Sequence, residues 1–486
     1  MNQLKDITVK ENDKIIKALK VINLNSLGTC FVVSENNILK GVLTDGDIRR
    51  GLIKKYSLND NVINFVNKNF FYLNFKSKKS KIAKSFNSRI RLIPLVNKKK
   101  QLVSYVTNKN QISLAKPNLD GNEIKYLNEC INTGWISSTG KFVKIFEKKF
   151  SKYVNIKNCL AVSSGTTALQ LALKTLDVKY GDEVIVPNLT FASPVNAVIH
   201  AGAKPVFVDV NENTYCIDER LIQKKITKKT KAIIVVHLYG HPSNMTKILN
   251  IAKKRKIKII EDCAEALGSY YKKKHVGHFG DISTFSFFGN KLITTGEGGM
   301  ICFKSKIHKE RAEILRDHGM SKNLKYWHEE VGFNFRLTNI QSAIGCAQIE
   351  RIKWFLNNKM NLVKNYNAKL SKLDFLTLPG EYGPVSNSYW LYTVKLNKEL
   401  LKFKNRIIQE LNSYGIEARQ IFYPMHLMKP YKKYINKKDK FPISLKLFDS
   451  SISLPSAYYV KKSDILKIYK YLSKFKDTLL IQKKYL

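Results

Sequence analysis

The feature that most constrains this chain is a series of short apolar runs, separated by helical stretches, across residues 183–303. EVIVP (183–187), KPVFVDV (204–210), KAIIVVHLYG (231–240), IKIIED (257–262), ISTFSFF (282–288) and GGMICF (298–303) are apolar along most of their length instead of alternating. A strand that is apolar on both sides needs cover on both faces. TTALQLALKTL (166–176) and ILNIAKKRK (248–256) carry apolar residues at helical spacing. Strands alternating with helices build a mostly parallel sheet with helices on both faces, so the expected fold class is α/β. After about residue 355 the buried runs thin out and amphipathic helix takes over. A smaller C-terminal α+β domain packed on the first is the expectation.

An internal repeat adds a second constraint. CFVVSENNILKGVLTDGDI (30–48) aligns without gaps on IPLVNKKKQLVSYVTNKNQ (93–111), an offset of 63 residues. Each copy reads strand, polar turn, strand, then a Thr-x-x-Asp or Thr-x-x-Asn corner. An amphipathic helix with Ile15, Ile16, Leu19 and Ile22 on one face precedes the first copy, capped by Asn12 or Asp13. At roughly 150 residues per domain, 486 residues admit about three folding units. The expected division is a repeat domain over 1–112, a connector SLAKPNLDG (113–121) broken by Pro117 and Gly121, and an α/β body split into 122–355 and 356–486.

Composition excludes several classes. The net charge of +46 comes from 84 basic residues, of which 12 are Arg and 72 are Lys. The lysines are spread along the chain, as in Lys98-Lys99-Lys100 and Lys272-Lys273-Lys274. Solvated surface lysine is the plain reading, with attraction of anionic small molecules or membrane surfaces as the alternative. A nucleic-acid binder would gather Arg and aromatics on one surface, so no nucleic-acid partner is expected. No run of 18 apolar residues exists, so no membrane span is expected. The start, MNQLKDITVKENDK, contains acids and lacks the apolar centre of a secretory signal. Seven scattered cysteines without a C-x-x-C pair argue against structural zinc and a disulfide framework, and for a reducing, cytoplasmic setting.

Three points in the α/β body read as parts of one site. In SSGTTAL (163–169), Gly165 permits close backbone approach, and Thr166 and Thr167 offer donors at a positive helix end. That is a phosphate cradle, although the same residues also make an ordinary helix cap. IIEDCAEALGS (259–269) ends a strand in Glu261-Asp262, where open α/β sheets collect their active sites. A carboxylate there could meet a metal, a hydroxyl or a protonated ring nitrogen; capping a helix is its structural alternative. In STFSFFGNKLITTGEGGM (283–300), Lys291 follows a strand and a glycine, and lysines in apolar settings form Schiff bases. A lone lysine is usually solvated. The conjunction of cradle, acid and lysine matches the phosphate, pyridine nitrogen and aldehyde of pyridoxal 5'-phosphate.

From about residue 117 to 486 the chain resembles the DegT/StrS-type sugar aminotransferases, which are fold-type-I pyridoxal-phosphate enzymes. GWISSTG, PNLTFASPVNAV, AKPVFVDV, HLYGHP, EDCAEALG, FSFFGNK, TTGEGG, RDHGM and GFNFRLTNIQSAIG carry the resemblance in order. It implies that Lys291 bears the cofactor, Asp262 pairs with the pyridine nitrogen, and Thr166, Thr167 and Ser286 hold the phosphate beside Gly165. Phe191 would stack on the ring. Asn334 would reach the phosphate in the neighbouring subunit, which implies a homodimer with shared sites. Glu265 stands where relatives often carry Gln or His near the cofactor; it marks a subgroup or packs neutrally. The implied reaction is ping-pong transamination from L-glutamate to a nucleotide-linked keto sugar. A branch with His at the lysine position dehydrates instead, so Lys291 argues for transamination.

Within the family, HLYGHPSNM and RDHGMSKNLKYWHEEVGFNFRLTNIQ resemble the perosamine-synthase branch, which aminates GDP-4-keto-6-deoxymannose for polysaccharide synthesis. Neighbouring branches take UDP- or dTDP-linked sugars. In GIEARQIFYPMHLMKPY (415–431), Arg419 and His426 are candidates for the sugar nucleotide or for plain structural bonding. The N-terminal copies resemble a pair of CBS modules. Thr44 and Asp47 would then hold the ribose of an adenine nucleotide, while Thr107 and Asn110 in the second copy lack the carboxylate. The pair could instead only mediate assembly, or sense nucleotide beside an inert body.

Overall fold

The computed structural model describes residues 4–25, 27–77, 81–82, 85–86, 90, 92–107 and 112–484. The chain divides into two compact units, Met1–Gln111 with Gln409–Ile416, and Ile112–Ile408 with Glu417–Leu486.

In the first unit the 63-residue offset is carried into the backbone. Strands Thr29–Val33 and Leu39–Thr44 form one antiparallel hairpin, and Leu92–Val96 and Leu102–Thr107 form its equivalent. A short strand runs parallel to each, Thr8–Lys10 in the first copy and Leu73–Asn74 in the second. Even the irregularity repeats, with register shifts at Val32/Val33 and Leu95/Val96. The copies meet turn to turn: Leu39 N–H donates to Lys100 O, and Leu102 N–H donates to Asn37 O, both at 2.9 Å. A 63-residue shift exchanges these two bonds, so the copies are related by an approximate two-fold axis. Phe31, Val33, Leu39, Val96 and Leu102 pack together from both copies.

Thr44 caps the helix Asp45–Ile53 in a capping box with Asp47. The Asp47 carboxylate accepts from Thr44 N–H at 2.9 Å and Thr44 Oγ1 at 2.6 Å, and pairs with Arg50 at 2.6 Å. Both residues therefore have structural partners. Asn110 lies outside the described residues.

The second unit is built on a seven-stranded sheet. Its order is Asn158–Val162, Gly299–Phe303, Ile282–Ser286, Lys258–Asp262, Thr230–Val236, Glu183–Pro187, Lys204–Val208. Gly299–Phe303 runs antiparallel to both neighbours, and the other pairings are parallel. Successive residues take opposite faces: Ala232, Ile234 and Val236 enter one core, Ile233 and Val235 another. Helix Gly165–Thr175 fills the first core with Ala168, Leu169 and Ala172. On the other face, Met245–Arg255 supplies Met245, Ile248 and Ala252, and Lys141–Val154 supplies Phe142, Phe146 and Phe150. Cover on both faces is what the continuous apolar runs required.

Towards the C-terminus, Leu376–Thr377, Tyr392–Leu396, Ser451–Leu454 and Arg419–Gln420 form a four-stranded antiparallel sheet. The long helices Ile352–Leu370 and Lys462–Lys484 accompany it. Residues 113–121 do not hang free as a linker would. Leu114 is buried, its carbonyl accepts Ser456 N–H at 2.7 Å, and the Asn118 carbonyl accepts from Gln348 at 2.8 Å. All seven cysteines are buried free thiols. Among the described residues, no helix is long and apolar enough to cross a membrane.

Candidate active site

A pocket of about 490 Å³ opens in the second unit beyond the carboxyl ends of the parallel strands, where open α/β sheets bind ligands. Two helices begin on its wall. Ser164 caps Gly165–Thr175, and Ser193 starts Ser193–His200, with Thr166 Oγ1 and Ser193 Oγ sharing a hydrogen bond at 2.7 Å. Two helix N-termini on one wall favour an anion there. Gly165 is required by close approach, because a Cβ would lie 2.9 Å from Ser286 Cβ. Thr167 departs from expectation. Its amide donates to Ser164 Oγ, and its hydroxyl accepts Ser164 N–H at 3.0 Å and donates to Ser164 O at 2.9 Å. That capping box turns Thr167 off the pocket wall, and Ser164 takes its place there.

The adjacent acids of the central strand face opposite ways. Glu261 accepts N–H groups from Gly277, Phe279 and Gly280 at 2.6–2.9 Å and pairs with His237 at 3.1 Å. Burial pushes its carboxyl up, but His237 and those amides hold it below the ordinary value. With Cys263, these two form a cluster of possible metal ligands. His237 Nδ1 already accepts Ser243 N–H at 3.0 Å, so both ring nitrogens of His237 and both oxygens of Glu261 are engaged within the protein. Asp262 lines the pocket, and its carboxylate accepts Ala264 N–H at 3.0 Å. Burial raises its pKa, against the pull of Ala264 N–H and Lys291.

Lys291 lies in the turn between the antiparallel strands Ile282–Ser286 and Gly299–Phe303. Its Nζ is 3.5 Å from Glu265 Oε1 and 3.9 Å from the Trp390 ring centroid. Glu265 also accepts Tyr239 N–H at 2.9 Å. Burial pushes its carboxyl up to about 7, while Lys291 and the Tyr239 amide pull it down. Tyr239 stacks nearly parallel to both Trp390 and Phe422, at 8° and 11°. Phe191 meets Phe422 edge-on at 5.6 Å and is 56% exposed, leaving a face free towards the pocket.

The structure thus brings Gly165, Thr166, Phe191, Asp262, Glu265, Ser286, Lys291 and Arg419 onto one pocket. Arg419 there pairs with Glu417 at 2.5 Å. His426 is not brought to it. Its N–H donates to Asn188 Oδ1 at 3.1 Å and its ring stacks on Phe441 at 4.9 Å, which gives it the structural role. Asn334 lies off the pocket of its own chain, bridging to Asp317 and accepting from Arg336 at 3.4 Å. Sequence reading missed Ser193, Tyr239, Trp390 and Phe422. They come from four separate segments, and no spacing along the chain links them.

The pocket fits a phosphorylated pyridine aldehyde. Thr190 Oγ1 and Asn290 Oδ1 are buried on its wall without a protein partner, the Gly165–Ser286 cradle is open, and a buried carboxylate accompanies a lysine. A mostly parallel sheet carrying these groups at its carboxyl edge defines a fold-type-I pyridoxal-phosphate enzyme. Residues 117–473 match the model of the DegT/DnrJ/EryC1/StrS aminotransferase family, and residues 3–54 match the CBS domain. The chain belongs to that aminotransferase family and is a pyridoxal-phosphate-dependent sugar nucleotide transaminase. It is 43% identical to a GDP-perosamine synthase of Caulobacter vibrioides, over 74% of this chain and 96% of the relative. A GDP-perosamine synthase of Escherichia coli O157:H7 is 42% identical, over 75% and 98%. Among solved structures, Helicobacter pylori PseC, an aminotransferase of pseudoaminic acid biosynthesis, superposes with a TM-score of 0.72. It is 26% identical, over 75% of this chain and 99% of that one.

Proposed function

We propose that the protein transfers the amino group of L-glutamate to C4 of GDP-4-keto-6-deoxy-D-mannose, making GDP-perosamine for a surface polysaccharide. The similarity to two perosamine synthases over nearly their whole length carries the choice of sugar. The inert-body alternative is not favoured, since the lysine and acid that the chemistry needs are both present.

When bound, pyridoxal 5'-phosphate supplies a protonated ring that withdraws electron density from the carbon being aminated. Ser164, Gly165, Thr166, Ser193 and Ser286 are suited to its phosphate, and Asp262 to its ring nitrogen. An ionised Asp262 keeps that nitrogen protonated. Phe191 would cover one face of the ring. Lys291 Nζ would take up and return the proton of the substrate carbon. Glu265, 3.5 Å away, is in reach of that amine whenever it is free of the cofactor. Asn334 acts in the partner's site of a homodimer. Seven buried free thiols support a cytoplasmic setting.

Arg419 is suited to the diphosphate, which every sugar nucleotide carries, so it raises affinity without selecting the base. Selection comes from hydrogen bonds that a wrong base leaves unmade, worth about 1–3 kcal/mol. Competition among GDP-, UDP- and dTDP-linked 4-keto sugars should therefore favour the GDP substrate in kcat/KM by roughly 5- to 150-fold. A higher value for a UDP or dTDP substrate sinks the perosamine assignment and leaves the transaminase intact.

The CBS match supports one adenine nucleotide per chain, at the first copy. Because Asp47 also closes a capping box, the informative variant is Asp47→Asn, which keeps an acceptor for Thr44 N–H and removes the charge. Calorimetry on the full chain should find at most one AMP or ATP, bound roughly tenfold more weakly by the variant. Two equal sites, or unchanged binding, would exclude this reading.

A further inference from the structure

Lys359 is a buried lysine outside the pocket. It lies on the helix Ile352–Leu370, 4% exposed, and no ion pair involves it among the described residues. Its Nζ donates to two main-chain carbonyls, Trp390 O at 2.9 Å and Ser456 O at 2.5 Å. A buried cation balanced by carbonyl dipoles and one aromatic ring, without a carboxylate, is costly, and burial lowers its pKa to about 7. An apolar side chain of the same length would fill the space at less cost.

The carbonyls it grips belong to a clamp around the reactive lysine. The Trp390 indole N–H donates to Asn290 O at 2.8 Å, and the Tyr458 hydroxyl donates to Leu292 O at 2.5 Å. Asn290 and Leu292 are the residues immediately before and after Lys291. Trp390 also presents its ring to Lys291 Nζ at 3.9 Å, and Lys359 Nζ lies 5.5 Å from the Tyr458 ring. One ammonium group therefore ties together the backbones that carry both jaws. The strands Tyr392–Leu396 and Ser451–Leu454 pair just beyond, and Tyr392 N–H donates to Ser456 Oγ at 2.8 Å, so Lys359 adds a tie at the ends of the two segments that reach Lys291.

We infer that Lys359 is a positioning residue for the reaction, acting through Trp390 and Tyr458 to fix the backbone on either side of Lys291. The inference rests on Lys291 as the residue that bears the cofactor. A lysine whose backbone moves by an ångström loses the alignment that proton transfer needs, at a cost of roughly a hundredfold in rate.

The test uses the full-length, cofactor-loaded enzyme and the variants Lys359→Met and Tyr458→Phe. Borohydride reduction and peptide mass first locate the cofactor; a label away from Lys291 overturns both the underlying reading and this one. With the label on Lys291, kcat per bound cofactor should fall roughly ten- to a hundredfold in Lys359→Met, while KM for both substrates stays within about threefold. The induced circular dichroism of the bound cofactor should weaken in parallel. Tyr458→Phe deletes one hydroxyl and should change both readouts in the same direction by a smaller factor. The double variant should lose no more than Lys359→Met, because both act on one clamp. A purely structural role would lower Tm or yield and leave both readouts unchanged per bound cofactor. That result overturns the proposal, and Tyr458→Phe alone can deliver it if Lys359→Met does not fold.

Discussion

Lys291→Ala should reduce turnover by about 10⁴-fold or more while the fold survives. The backbone around it stays held, since the Asn290 and Leu292 carbonyls are bonded by Trp390 and Tyr458 and not by the lysine side chain. What disappears is the amine, 3.5 Å from Glu265 and over Trp390. Glu265, already raised to about 7 by burial despite the nearby cation, loses that cation's downward pull and should become more firmly protonated. Borohydride reduction of the wild-type enzyme should fix a pyridoxyl mass on the peptide containing Lys291, and the variant should show none. Turnover within tenfold of wild type, or a label on another of the 72 lysines, removes Lys291 from the mechanism.

Asp262→Asn separates what the folded chain needs from what the reaction needs. The amide keeps the side chain's shape and an acceptor for Ala264 N–H, but carries no charge for a ring nitrogen. Losing one partner of a buried ion pair costs about 3–5 kcal/mol, or roughly 10²- to 10⁴-fold in rate. Cofactor affinity should fall as well. The cofactor-free protein should move the other way. Burial raises the folded pKa of Asp262 above its unfolded value, so the folded state binds the proton more tightly. Stability attached to that group is therefore present at low pH and lost as pH rises above the unfolded value. Asn has no such loss. At pH 7 the cofactor-free variant should be at least as stable as wild type in denaturant unfolding, with the difference closing towards acid pH. A variant that keeps activity within tenfold would remove Asp262 from the ring nitrogen.

The two halves of this molecule were legible to different degrees. The 63-residue offset maps residue for residue onto the hairpin strands of the first unit, down to the matching register shifts. A repeat constrains both copies at once, so a wrong strand assignment would have had to be wrong twice. The apolar runs of the second unit are strands of one sheet, because burial on both faces leaves a pattern that survives without knowledge of the neighbours. Direction leaves no such pattern. GGMICF resembles the other runs, yet Gly299–Phe303 alone runs antiparallel, turning back through the segment that presents Lys291.

At the site, the residues found from sequence are those whose chemistry is local: a glycine before a helix, an acid ending a strand, a lysine after one. Thr166 and Thr167 look alike in SSGTTAL, but helical geometry sends one hydroxyl to the pocket and the other back into the cap. His426 sits in the same segment as Arg419, and packing against Asn188 and Phe441 takes it elsewhere. Lys359 carried no signal among so many lysines.

The sequence by itself therefore determined the sheet, the repeat and the family, and pointed to a cradle, an acid and a lysine as candidates for one site. Tertiary structure alone showed what the neighbouring acid does: Glu261 ties down the loop 277–280 while Asp262 faces the pocket. It also decided which aromatic rings meet around Lys291 and which distant lysine braces them. The physical reason is range. Periodicity, capping and strand ends act over a few residues and are written into neighbouring letters. The contacts that aim a side chain join segments up to 100 residues or more apart, such as Trp390 to Asn290, and only the folded chain brings them within hydrogen-bond reach.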